Sequence, residues 1–139
     1  MQNALFSPAL VGARILIVED ELLVAMDLED RLKREGCGVL GPVSRESKAL
    51  AVLEHDRPDA VVLDLNLDGK LPVDLANILA ERHIPFVVVT GYGNRHLDVA
   101  ALQEAPRLHK PIKTEELVHA LSGLIPGLDQ LRPCTNGGV

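Results

Sequence analysis

In the stretch Ala60-Val61-Val62-Leu63-Asp64-Leu65-Asn66-Leu67-Asp68-Gly69, an unbroken apolar run passes directly into an aspartate and a turn-rich segment. Such a run, bounded by turn residues, predicts a central strand of a parallel sheet buried on both faces. In such sheets ligands and chemistry gather at the carboxyl ends of the strands, and Asp64 stands at that end. Alone, an aspartate there is better explained by its preference for starting turns. Its meaning depends on what neighbouring strands place beside it.

Arg14 to Val18 is a second buried run, ending in Glu19-Asp20-Glu21. Three acids at one strand tip repel one another unless something compensates. A solvated helix start, favoured by the helix dipole, accounts for Glu21 better than for the other two. Leu22, Ala25, Leu28 and Leu32 then share one helical face, and Gly36 supplies the stop. Cys37 to Val43 reads as a strand nearer the sheet edge, because Gly and Pro fall near its end. Ser44 is the expected N-cap of a helix with Leu50 and Leu53 inward. Pro72 is expected to open another, with Leu71, Leu75, Ile78 and Leu79 inward. Pro85 to Thr90 is a further apolar strand, followed by the loop Gly91-Tyr92-Gly93-Asn94 and a weak helix over Arg95 to Gln103. Arg107 to Pro111 is a brief strand closed by Lys110-Pro111, and Thr114 is the expected cap of a helix with Leu117, Ala120, Leu121 and Leu124 inward. Five strands alternating with five helices predict parallel βαβ units, an α/β fold. Residues 1–12 are expected as a loose arm, 13–125 as one domain and 126–139 as a Pro- and Gly-rich tail.

The chain of 139 residues suits a single domain, and at 47% hydrophobic but 2% aromatic its core must be aliphatic. A net charge of −6 with no Lys/Arg cluster argues against nucleic-acid binding and for a cation or a basic protein partner. No apolar run approaches the roughly 20 residues of a membrane span, and residues 1–12 lack the basic start of a signal peptide. Cys37 and Cys134 make no metal spacing and are read as reduced thiols in a cytoplasm.

The strand ends carry the chemistry. The first carries Glu19 and Asp20, the third Asp64, the fourth Thr90 and the fifth Lys110. Three carboxylates gathered together call for a hard divalent cation, and Mg²⁺ favours carboxylates together with phosphate oxygens. Thr90 and Lys110 would then hold the other oxygens of a phosphoryl group, with one carboxylate as the nucleophile toward phosphorus. Asp64-x-Asn66-x-Asp68-Gly69 also matches the first half of a calcium EF-hand loop, but the twelfth position is Leu75 and no helix leads in. Neither a Gly-rich phosphate loop nor a Ser-centred elbow is present.

Val-Glu-Asp-Glu after the first strand, Val-Leu-Asp-Leu-Asn-Leu at the third, Val-Val-Thr-Gly-Tyr-Gly at the fourth and Lys-Pro-Ile at the fifth together resemble a response-regulator receiver domain of two-component signalling. The resemblance covers roughly residues 13–124. It implies a flavodoxin-like five-stranded parallel sheet of order 2-1-3-4-5, with Asp64 as the phosphoacceptor. It further implies Mg²⁺ bound directly by Asp20 and Asp64, through water by Glu19, and by the backbone carbonyl of Asn66. Thr90 becomes the switch hydroxyl and Lys110 the phosphoryl-contacting lysine. The donor would be a histidine kinase or histidine phosphotransfer protein, and the readout a change of the strand 4–helix 4–strand 5 face. With no output domain after residue 125, the chain is expected to act as a stand-alone receiver, through an unknown downstream protein or along a relay. It is expected to be a monomer or weak homodimer that turns over no external substrate. Two features depart from the common pattern. Arg107 replaces the aromatic usual three residues before the lysine, and Thr90-Gly91-Tyr92-Gly93 is similar to a subfamily with a Phe-Ala-Thr-Gly-Tyr motif, which also lacks that aromatic.

Three rival readings fit parts of this pattern. An aspartyl-phosphate hydrolase of the haloacid-dehalogenase type needs an acid two residues after the nucleophile, where this chain has the amide Asn66. A pseudo-receiver that binds partners without phosphate would not need the full acid set and Lys110. A flavodoxin-like cofactor binder would need a phosphate loop and a stacking aromatic.

Overall fold

The computed structural model describes residues 10–91 and 98–125. The elements alternate: β1 (Arg14–Val18), α1 (Leu22–Arg34), β2 (Gly38–Val43), α2 (Glu46–Leu53), β3 (Ala60–Asp64), α3 (Val73–Glu81), β4 (Phe86–Thr90), α4 (Ala100–Glu104), β5 (Arg107–His109) and α5 (Thr114–Leu124). The five strands form one parallel sheet of order β2-β1-β3-β4-β5. β3 and β4 are buried at every position, which is why their sequences are uninterrupted apolar runs.

Strand alternation divides the core in two. Leu16, Val18, Val61, Leu63 and Val88 pack with Ala49, Leu53, Leu75, Leu79 and Leu102 of α2, α3 and α4. Ile15, Ile17, Val62, Val87 and Val89 pack on the other face with Leu28, Leu32, Leu117 and Leu121 of α1 and α5. Burial of these aliphatic side chains is worth roughly 1.5–3 kcal/mol each relative to exposure. Each face of the sheet thus fixes the helices whose ends frame the strand tips.

β2 is an edge strand. Its pairing slips by one residue, so that Leu16 faces Leu40 but Val18 faces Val43. Gly41 permits the bulge: its φ is +81°, and a Cβ there would stand 2.7 Å from the Val43 nitrogen. Helix α1 ends in a Schellman motif, with Cys37 N–H donating to Leu32 O (3.0 Å) and Gly36 N–H to Lys33 O (3.0 Å). Helix α3 ends the same way around His83, which holds φ +58° without being glycine. His83 therefore lies just beyond α3, in the left-handed conformation that ends the helix.

Several local expectations are corrected. Leu22 is 71% exposed rather than inward, because α1 starts at the strand tips and its first turn overhangs the core. Ser44 does not cap α2; Arg45 holds that place, and no side chain of its own closes the end. Pro72 lies at the N-cap position of α3 rather than in its first turn, and Thr114 is the first residue of α5, with Lys113 before it. The start of α3 is closed from a distance: Leu75 N–H donates to Glu46 Oε2 of α2 at 2.8 Å. The expected arm is not loose at its inner end, where Leu10 is fully buried and Gly12 N–H donates to Gly36 O. The weak helix expected from Arg95 begins, among the described residues, at Ala100. Residues 1–9, Tyr92 to Leu97 and the tail from residue 126 lie outside the described residues.

Candidate functional site

The carboxyl ends of β1, β3, β4 and β5 open into a cleft of about 770 Å³ lined by Asp20, Glu21, Asp64, Asn66, Thr90 and Lys110. Asp64 is the last residue of β3 and is 3% exposed. Its Oδ1 accepts from the Asn66 N–H at 3.0 Å, an Asx turn that fixes the carboxylate to its own backbone. Glu19, equally buried, is fixed in the same manner, its Oε2 accepting from the Glu21 N–H at 3.0 Å. Asp20 is exposed, and its Oδ2 accepts from the Asp68 N–H at 3.0 Å.

That last bond explains the segment resembling a calcium loop. Asp68 (φ +53°) and Gly69 (φ +81°) form a tight turn closed by two bonds between Leu67 and Lys70. Asp68 meets the site through its amide, and the turn ties the loop after β3 to the tip of β1.

Lys110 follows β5, its backbone N–H donating to Thr90 O at 2.9 Å. Its ammonium Nζ lies 3.3 Å from Asp64 Oδ2, 3.2 Å from Glu19 Oε1 and 2.6 Å from Glu21 Oε1. The loop beyond it is fastened to α1 by Arg31, whose guanidinium donates to the Ile112 carbonyl. Thr90 ends β4 beside this group and is 6% exposed.

Burial, and next a hydrogen bond with Asp64, pushes the Glu19 carboxyl up from 4.5 to about 8, over the opposing pull of the Glu21 N–H and Lys110. For Lys110, burial disfavours the ammonium, but the Glu21 hydrogen bond and the charges of Asp64 and Glu19 outweigh it and its pKa is raised. Negative charge in this cleft therefore exceeds what one lysine balances. Glu19, Asp20 and Asp64 each present a carboxylate oxygen within 4.8 Å of the others. Glu19 Oε1 is buried without a hydrogen bond. All-oxygen donors, one of them a buried Oε1 that has only the charge of Lys110 beside it and no hydrogen bond, fit a hard divalent cation.

Glu19, Asp20, Asp64, Thr90 and Lys110, read from the strand ends of the sequence, thus lie together at one end of the sheet. What the sequence did not reveal is Glu21, expected at a solvated helix start but found on Lys110, and the amide of Asp68 holding Asp20. The third consecutive acid was the available signal for Glu21.

An open parallel sheet with acids, a threonine and a lysine at its strand tips defines a receiver-type α/β domain. The chain belongs to the response regulator receiver domain family, whose model matches residues 15–122. It is 32% identical over 116 residues to the transcriptional regulatory protein PdtaR of Mycobacterium tuberculosis, covering 81% of this chain and 57% of that protein. It is 30% identical over 115 residues to the phyllosphere-induced regulator PhyR of Methylorubrum extorquens, covering 81% and 43%. The chain thus spans about half the length of the curated relatives it matches. Among solved structures, that of SdrG from Sphingomonas melonis Fr1 superposes with a TM-score of 0.71 at 39% identity, covering 81% of this chain and 96% of that one. Among the described residues, no helix is long and apolar enough to cross a membrane.

Proposed function

We propose that Asp64 accepts a phosphoryl group from the phosphohistidine of a histidine kinase or histidine phosphotransfer protein in the cytoplasm. An Asp64 carboxylate oxygen attacks phosphorus as the phosphorus–nitrogen bond breaks. The imidazole leaves with the electron pair and takes up a proton, and the product is an acyl phosphate. Asp64 Oδ1 stays oriented by the Asn66 N–H, while Lys110 offers an N–H to the incoming oxygens and Thr90 a hydroxyl. Asp20, Asp64, Glu19 and the Asn66 carbonyl would hold Mg²⁺, which when bound offsets charge on the transferring phosphoryl. The observation that carries this reading is the 3.3 Å approach of Lys110 to a buried Asp64 flanked by two further acids.

The donor docks beside the cleft, where Leu22, Leu23 and Met26 of α1 present 71%, 80% and 54% of their surface to solvent. The acyl phosphate biases the β4–α4–β5 face. Helix α4 has only five residues (Ala100–Glu104) and no side-chain cap, so it is inexpensive to rearrange. The domain promotes its own phosphorylation and turns over no external substrate. Intact mass after incubation with acetyl phosphate and Mg²⁺ tests the reading, with Asp64→Asn as control. One stable addition lost in the variant is expected. Steady turnover of the donor would indicate a hydrolase, and no addition a phosphate-independent binding module.

A further inference from the structure

The phosphoacceptor reading supplies Lys110 with a task, and the structure shows what stands in its way. A lysine ammonium has three donors. Around Lys110 they face three carboxyl groups, those of Glu21 at 2.6 Å, Glu19 at 3.2 Å and Asp64 at 3.3 Å. To donate to a phosphoryl oxygen, the ammonium must leave one of them. Glu19 and Asp64 are buried, at 1% and 3% side-chain exposure, so a polar group released there loses a partner that water cannot replace. Glu21 is 61% exposed, and its released carboxylate is solvated at once.

We propose that Glu21 is the exchangeable partner of the phosphoryl-contacting lysine, a positioning residue that shares Lys110 with the buried acids before transfer and yields it when the phosphoryl group arrives. Glu21 lines both the cleft at Asp64 and a second cleft formed by α1 and the segment after Lys110, including Val24, Asp27, Arg31 and Ile112. It therefore stands where a donor approaching along α1 meets the lysine first. Its side chain makes no capping bond to α1, and only its backbone serves the helix, through Ala25 N–H to Glu21 O. The side chain can be changed without removing a structural bond other than the one to Lys110.

The test uses the full chain with phosphoramidate as donor and saturating Mg²⁺, following single phosphoryl addition by intact mass for wild type, Glu21→Gln and Glu21→Asp. Exposed ion pairs of this kind correspond to factors of about two to five, so Glu21→Gln should be phosphorylated about two- to five-fold faster. Glu21→Asp keeps the charge but is too short to hold Lys110, and should be accelerated as well. In metal-free protein, the ¹⁵N ammonium resonance of Lys110 should shift in both variants, a readout independent of phosphorylation. A Glu21→Gln rate equal to or below wild type overturns the proposal. So does Glu21→Asp behaving as wild type, because charge at the mouth rather than contact would then set the rate. Failure of the wild type to take up phosphoryl while Lys110 shifts as expected would instead refute the phosphoacceptor reading, and the proposed exchange with it.

Discussion

Glu19→Gln is the substitution that best tests how the site is charged. In metal-free protein, burial and the bond to Asp64 keep a proton on Glu19 up to about pH 8, whereas the unfolded chain releases it near 4.5. Between those values the folded form binds more protons than the unfolded one. Stability must therefore fall as pH rises through this window. Each tenfold difference in proton affinity is about 1.4 kcal/mol, and solvent at the cleft mouth screens part of the shift, so a loss of about 2–3 kcal/mol is expected between pH 5 and pH 8. Glutamine reproduces the protonated form: its amide can donate to Asp64 while its oxygen keeps the Glu21 N–H. In EDTA, Glu19→Gln should match wild type near pH 5 and exceed it by about 2–3 kcal/mol near pH 8, a urea midpoint about 1 M higher. Mg²⁺ competes with the same proton, so it should stabilise wild type more at pH 8 than at pH 6, and the variant less at both. Urea melts followed by circular dichroism at the two pH values, with and without Mg²⁺, read all of this. A wild-type midpoint that is flat with pH in EDTA, or a variant that tracks wild type, refutes the account of a proton-holding Glu19.

Glu46→Ala should cost about 1–2 kcal/mol, because it opens the start of α3 where Leu75 N–H now has a carboxylate; a loss below about 0.3 kcal/mol in urea unfolding would mean water replaces it freely. Two backbone substitutions should act in opposite directions. Gly41→Ala should destabilise by about 2–4 kcal/mol, and His83→Gly should stabilise by up to about 1 kcal/mol, both read from thermal unfolding. The Cys37 thiol, pushed up to about 11 by burial and by Glu35, should react with iodoacetamide about 100-fold more slowly than an ordinary thiol in native Cys134→Ser protein, and at the ordinary rate once unfolded.

The fold was legible because buried parallel strands leave no room for polar residues, so Ala60–Asp64 and Phe86–Thr90 stand out as strands without knowledge of their partners. The cleft was legible because chemistry in this architecture collects where such runs end. Helix faces and caps were harder. Periodicity put Leu22 in line with Leu28 and Leu32, but it carries no information on where the sheet beneath a helix stops. Capping preference is read by residue type from the adjacent sequence, whereas α3 is closed by Glu46, 29 positions from the amide it accepts from. The attachment of Glu21 to Lys110 spans 89 positions and depends on the angle between α1 and β5, which no local pattern encodes.

The bulge in β2 has a bearing on how molecules of this protein meet. A sheet as aliphatic as this one invites growth by addition of foreign strands along an open margin. One margin is broken by Gly41 and by Pro42, which has no amide to offer, and the other is β5, three residues long. Neither gives a template long enough for an incoming chain to continue the ladder. Association between copies, or with a partner, is thereby steered to helical surfaces, and the exposed backbone is kept from nucleating fibrils.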